Sequence, residues 1–452
     1  MKTGYPSQIK YIVGNEAAER FSYYGMRGIL VVFMTHYLMI PDHDAKGIYH
    51  LFITANYFLP LFGGYLSDRY LGKYRTIVSL SLFYCAGHAV LAAQENQLGL
   101  YLGLALIALG SGGIKPCVSA HVGDQFNATN SHLLKSIYEI FYFSINFGAF
   151  FSTLLTPKLL VIYGPSVAFG VPGVLMFIAT YVFWLGKKHY VHVPPTGKAG
   201  SAHFLGILYY ALTHLGQRKA GESWLDTALA KYPDEKVDGA KAAVAIFNVF
   251  IWVSAFWALF EQNGSSWILQ ASQMNLHAWG YDFEASQIPA LNPIMVMLFV
   301  PLFSLIIYPA VSLMGIKVTP LRRMGAGMLL TATAFICAAA IQNRIDAGHS
   351  VSILWQFPQY ILLTAAEVMV SITGLEFAYT QAPRAMKSTI MSLWLLTVTL
   401  GNFCTAIISF LNKFKGMEES LFYAAIMFGV SLIFIWSASR YKERYYIEGR
   451  PA

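Results

Sequence analysis

Residues 16–27 read Glu16-Ala-Ala-Glu19-Arg20-Phe-Ser-Tyr23-Tyr24-Gly25-Met-Arg27, within an otherwise apolar stretch that runs on to residue 37. At 100° per residue, Glu16, Glu19, Arg20, Tyr23, Tyr24 and Arg27 fall within about 140° of one another. A helix here therefore has one charged, aromatic stripe and an apolar remainder. The surrounding chain is 56% hydrophobic and only 12% charged over 452 residues, with a mean hydropathy of +0.50. A soluble chain carries about 25% charged residues. The stripe thus belongs to a membrane helix, where each ionisable group costs roughly 2.5–3.5 kcal/mol at mid-helix and must face a cavity or a partner.

Working outward, further stretches of about 20 mostly apolar residues follow. With the first at 15–37, they lie near 48–67, 76–94, 99–120, 136–160, 166–186, 243–262, 287–311, 321–341, 354–376, 388–411 and 419–439. The pattern predicts an all-α integral membrane protein with twelve transmembrane helices, and an even count puts both termini on one side. Lys and Arg choose the side. Twenty-three lie on the side of the termini, against five on the other: Lys46, Lys158, Arg344, Lys413 and Lys415. Both termini are expected to be cytoplasmic. The +8 charge forms no continuous face, so its partner is the anionic leaflet of the bilayer and not nucleic acid.

The four cysteines, Cys85, Cys117, Cys337 and Cys404, lie in apolar stretches without paired spacing and read as buried thiols, not as a disulfide framework or metal ligands. No cleavable signal peptide is expected, since Glu16, Glu19 and Arg20 interrupt the first apolar region. Residues 187–242 break the short-loop pattern. They open on Lys187-Lys188, contain Val193-Pro194-Pro195-Thr196-Gly197, and become amphipathic around 204–215 and 224–230. They read as a cytoplasmic linker with short interfacial helices between a bundle at 1–186 and a second at 243–452.

Seven ionisable groups fall inside spans: Glu16, Glu19, Arg20, Arg27, Lys115, Glu261 and Glu367. Together they cost on the order of 20 kcal/mol before pairing, which implies a hydrated pathway. An acid beside an arginine can exchange a proton as their pair opens and closes. Lys115 follows Gly110-Ser-Gly-Gly113-Ile and precedes Pro116, a segment that allows close helix approach and frees a backbone acceptor. Glu261 on span seven is its expected partner from the other half, with Trp257 on the same helix face. Glu367 on span ten has no cation in its own span and, by the repeat, is expected to face Lys115. One cationic wall and one acidic wall suit a zwitterion.

Glu16-Ala-Ala-Glu19-Arg20-Phe21-Ser-Tyr-Tyr-Gly25 resembles the E-x-x-E-R-F-(S/A)-Y-Y-G motif of the proton-dependent oligopeptide transporters, a branch of the major facilitator superfamily. Gly63-Gly-Tyr-Leu-Ser-Asp68-Arg69-Tyr-Leu-Gly72-Lys73-Tyr-Arg75 and Phe141-Tyr142-Phe-Ser-Ile-Asn146-Phe147-Gly148 resemble that family's two signatures, Phe147 departing from the usual small or aliphatic residue. Phe256-Trp257-Ala-Leu-Phe-Glu261-Gln262 and Gly374-Leu-Glu376-Phe-Ala-Tyr-Thr-Gln-Ala-Pro383 fit as well, the latter especially the animal branch. The resemblance implies a major facilitator fold of two six-helix halves with the site between them.

It also implies roles. Glu16, Glu19, Arg20, Lys115 and Glu261 would couple protons. Tyr23, Tyr24, Arg27, Tyr57, Lys115, Tyr142 and Asn146 would line the peptide site. Asn292 and Glu367 would receive the peptide amino end, Trp257 and Trp394 would wall side-chain pockets, and Asp68 and Arg69 would form a cytoplasmic latch. The linker is too polar for the two extra helices of many bacterial members. Only about a dozen residues near 343–352 stand where animal members carry an extracellular domain.

The expected function is proton-coupled import of di- and tripeptides by alternating access, with the proton as coupling ion, no cofactor and no metal. The protein is expected to be a monomer in the plasma (inner) membrane. The alternative is a relative carrying nitrate or another small metabolite, for which Glu367 has little use. An enzyme is disfavoured: there is no H-E-x-x-H, no zinc spacing among twelve histidines and no G-x-S-x-G in a suitable context. Charges paired across halves argue for alternating gates and against a channel.

Overall fold

The computed structural model describes residues 5–127, 130, 133–195, 201–219, 221–383 and 386–441. Lys2, Lys198, Arg384, Lys442, Arg444 and Arg450, counted above on the side of the termini, lie outside them, as do Thr196 and Gly197 of the linker.

Helix follows helix with short connections, and the sequence supplies the boundaries. Asn96 caps Gln97–Ile107 by accepting from the Gly99 N–H. Gly164, at φ 81°, turns the chain between Tyr163 and Pro165, the first residue of span six. Pro320 starts span nine, and Asn412 in the left-handed region ends span eleven. Among the described residues, nine helices are long and apolar enough to cross a membrane. Asp234–Phe250 and Val253–Ser272, bent by 47°, make a tenth. The other two expected crossings, 15–37 and 48–67, fall within the helical stretches 9–37 and 42–71, whose charged and polar side chains (Glu16, Glu19, Arg20 and Arg27 in the first; His50, Asn56 and several tyrosines in the second) lower their apolarity. The molecule is a multi-pass, nearly all-helical membrane protein, with one short antiparallel strand pair, His277–Ala278 and Tyr281–Asp282, between spans seven and eight.

The apolar interior forms two main clusters. One draws on residues from Ile9 to Tyr190 and takes only Leu269 from the second half; the other runs from Phe204 to Phe434. Linker residues Phe204, Ile207, Ala211, Leu225 and Ala228 belong to the second core. The linker helix Ser201–Thr213 thus packs against the second half with one face and exposes Leu205, Tyr209 and Leu212 on the other. Span seven already begins at Asp234, so the linker is shorter than its polarity suggested. Glu376, at the linker end of span ten, is tied to Arg323 at 3.6 Å.

Several spans are irregular where the chemistry lies. Span four passes through a π turn at Ala108–Gly112, three residues before Lys115. Span ten does the same at Val368–Ile372, immediately after Glu367. Span seven changes to a tighter turn at Glu261–Gly264 and breaks at Ser265 before resuming at Ser266. Such breaks expose backbone and re-aim side chains toward a cavity.

Candidate functional site

The charged stripe of span one is buried and organised in two tiers. In the lower tier Arg20 Nε lies 2.8 Å from Glu16 Oε1 and 2.7 Å from Glu19 Oε2. Ser111, in the π turn of span four, donates to Glu19 at 3.2 Å. One turn further along span four, the Lys115 ammonium sits 4.6 Å from the ring centres of both Tyr23 and Tyr57. The lysine thus stands between the Glu19 cluster and the cavity, held by aromatic faces.

In the upper tier Arg27 bonds Glu261 across the two halves and donates from Nε to Tyr49 Oη at 2.6 Å. Its guanidinium also lies over Tyr24 and Tyr49, at 5.9 and 5.6 Å. Glu261 is therefore not the partner of Lys115, as the sequence had suggested. Arg27 holds it instead, and Gly264 leaves room for the Tyr49 hydroxyl that Arg27 also bonds. Among the described residues Lys115 has no carboxylate within ion-pair distance, Glu367 included.

Glu367 instead accepts from Asn292 Nδ2 at 2.6 Å, and the same amide lies 3.2 Å from Thr364 Oγ1. The two residues named for the amino end of a peptide are thus one hydrogen-bonded unit. Trp257 and Trp394 meet edge to face at 6.1 Å, and Asn146 donates to the Tyr142 carbonyl at 2.9 Å.

A cavity of about 220 Å³ joins these parts. Tyr24, Arg27, Tyr57, Tyr142, Asn146, Trp257, Glu261, Asn292 and Glu367 all line it. Tyr23, Lys115 and Trp394 stand behind the wall, Tyr23 and Trp394 almost fully buried. Both halves contribute, the first with one cation, Arg27, and phenols, the second with carboxylates, amides and an indole whose Nε1 has no hydrogen-bond partner among the described residues. Asp68 and Arg69, expected as a latch, make no ion pair among the described residues. Both side chains are exposed, and Arg69 bonds Tyr65 at 2.8 Å. The ion pair at this corner is Lys73–Asp124, at 2.6 Å, tying the loop to the end of span four. No group of three or more His, Cys, Asp or Glu able to hold a metal occurs among the described residues.

Sequence reasoning missed His50 because a histidine adds nothing to a count of formal charges. It is fully buried on span two, with Nδ1 2.8 Å from Asn402 Oδ1 and Nε2 2.9 Å from Ser265 Oγ. The Asn402 amide nitrogen already donates to the Val398 carbonyl, so Oδ1 accepts and the ring proton sits on Nδ1. One ring thereby joins span two to spans seven and eleven. Asn263 and Ser371 were missed too, and both line the cavity from broken helix turns.

Two helical bundles meeting at a charged cavity have the architecture of the major facilitator fold. The profile of the POT family matches residues 74–422, and the chain belongs to that family. It is 38% identical over 396 residues to human solute carrier family 15 member 2, covering 83% of this chain and 54% of that one. The chain spans about half the length of the curated relatives it matches. The crystal structure of the POT family transporter PepTSo superposes with a TM-score of 0.90 at 41% identity, over 97% of this chain and 99% of that one. An auto-inhibited POT family peptide transporter gives 0.88 at 40% identity, over 99% of both chains.

Proposed function

We propose that this chain is a proton-coupled symporter that imports di- and tripeptides by alternating access. The observation that carries the reading is the cavity with Arg27 on one wall and the Asn292–Glu367 unit on the other, since a zwitterionic peptide offers a carboxylate to the first and an ammonium to the second. The description of a similar solved chain as a peptide transporter agrees with this. A nitrate carrier has no use for a buried carboxylate such as Glu367.

Proton coupling rests on the two tiers. Protonating Glu261 removes the charge that holds Arg27 across the halves and frees the guanidinium for a peptide carboxylate. Protonating Glu19 loosens Arg20 and changes the field at Lys115. The proton is then the only coupling ion, with no cofactor, no metal and no chemical conversion of the peptide. The protein works as a monomer in the plasma (inner) membrane, with both termini and the linker in the cytoplasm. In that orientation the ion pairs Lys46–Glu419 and Lys158–Glu284 between the halves lie toward the outside.

The deciding experiment is uptake of labelled alanyl-alanine into proteoliposomes under an inward proton gradient. Accumulation abolished by an uncoupler is expected, with competition by unlabelled dipeptide and little by its amine-blocked form or by nitrate. Uptake indifferent to the uncoupler would sink the coupling. Competition by nitrate but not dipeptide would sink the substrate.

A further inference from the structure

One cavity away from the transport path has a different chemistry. It holds about 490 Å³ and lies on the linker side, where the first turn of span three meets the end of span six and the start of the linker. Lys73, Arg75, Lys187, His192 and His121 line it. Lys73 is occupied, donating to both oxygens of Asp124 at 2.8 and 2.6 Å. Arg75 and Lys187 are exposed and form no ion pair among the described residues.

Three features here call for an anion. Span three, Lys73–Ala93, begins at Gly72 without a side-chain cap, so its first amide groups have no partner from the cap or the helix itself. The positive end of the helix dipole points at the same spot, and Lys73 and Arg75 in the first turn add to its field where an acidic residue would offset it. His121 is the third. It is 1% exposed, its ring is braced edge-on by Phe183 and Tyr190 at 5.8 and 5.0 Å, and its Nε2 has no hydrogen-bond partner among the described residues.

The depth of the cavity identifies the source of the anion. Tyr181 and Trp184 are exposed and stacked at 5.9 Å on span six, Trp184 one turn before Lys187. Exposed Trp and Tyr mark the headgroup level of a bilayer. Arg75 and Lys187 therefore stand at the level of lipid phosphates. The linker residues Val193–Pro195 close the other side, with the Val193 carbonyl packed over Gly72.

We propose that this cavity binds a phosphate ester, held by Arg75, Lys187, the open amides of span three and His121, and that its occupant is the headgroup of an anionic lipid. Occupancy fastens the start of the linker to the first half. The site is independent of what the carrier transports.

The test uses the delipidated full-length protein in detergent. Native mass spectrometry counts retained phosphatidylglycerol against phosphatidylcholine, and thermal shift with inorganic phosphate or glycerol phosphate supplies the soluble arm. Wild type is expected to retain phosphatidylglycerol preferentially. R75Q and K187Q each weaken retention about fivefold, the worth of one basic residue at a membrane surface. R75K keeps most of it, and R344Q on the opposite face is neutral. His121→Phe, which fills the same space without the ring nitrogen, weakens it as well. Stabilisation by free phosphate that the same variants abolish, without any lipid preference, would overturn the lipid as source. Equal retention by wild type and the R75Q/K187Q double variant, with no phosphate effect, would overturn the site.

Discussion

Arg27 and Glu261 show what one buried pair does in this cavity. Each is under one-tenth exposed, and Tyr49 takes a second hydrogen of the guanidinium. Removing one partner of such a pair leaves an uncompensated charge and costs about 3–5 kcal/mol. Glu261→Gln keeps the shape and removes the charge, so Arg27 loses its tie to the second half. The expected result is loss of gradient-driven uptake and a lowered melting temperature in detergent; unchanged accumulation would remove Glu261 from the coupling path. The lower tier makes a separate prediction. Glu19 is fully buried and holds Arg20 and Ser111, while Lys115 rests on tyrosine faces one turn away. Glu19→Gln and Lys115→Gln are expected to abolish concentrative uptake while peptide exchange between equal compartments persists in part. Normal concentrative uptake in either variant would exclude that residue from coupling.

The helices are held at distances that single glycines set. Gly63 on span two meets the backbone of Gly113 on span four, and a methyl group at Gly63 would overlap the Gly113 carbonyl. Its neighbour Gly64 has nothing within 4 Å. Gly63→Ala is expected to push span four, and Lys115 two residues on, away from span two, at about 1–3 kcal/mol. Gly64→Ala is expected to be neutral, so a melting curve that drops for the first and not the second checks the packing. The elements also show how far the sequence could be read. The face of span one was legible because 3.6-residue periodicity fixes which side chains align, and Glu16, Glu19, Arg20 and Arg27 do gather there. The cavity-lining set was legible to the extent that polar side chains in spans have few places to go. Pairing was not. Arg27 and Lys115 are both buried cations of the first half, and periodicity along one helix does not say which of them Glu261 on the other half meets. The π turns at Ala108–Gly112 and Val368–Ile372 leave no periodic trace, and Lys73–Asp124 joins residues too far apart for local patterning to pair.

At the scale of the whole molecule, the ties between the halves are unevenly placed. Lys46 meets Glu419 at 2.6 Å, and Lys158 meets Glu284 at 2.8 Å and the Asp282 carbonyl at 2.7 Å, both on the side away from the linker. Gln287 adds a bond to the Leu154 carbonyl at 2.7 Å. On the linker side Lys73–Asp124 and Arg323–Glu376 each join residues of one half. An alternating carrier needs its closed side held only weakly, because a few kcal/mol would trap it. The two outer pairs differ in this respect. Lys158 and Glu284 side chains are each 26% exposed, whereas Lys46 and Glu419 are 11% and 17% exposed and so less screened by water. Lys46→Glu is therefore expected to open the outer side more than Lys158→Glu. Ser266 lines the pocket of about 310 Å³ beside Lys46 and Glu419, so a cysteine there reports opening when the four native cysteines are replaced. An impermeant maleimide added from outside is expected to label Ser266→Cys several-fold faster with Lys46→Glu, and at the original rate once Glu419→Lys restores the pair in reverse. Equal labelling rates in all three backgrounds would show that the outer seal is carried by the packing of span two on span eleven, with Lys46 and Glu419 lying passively across it.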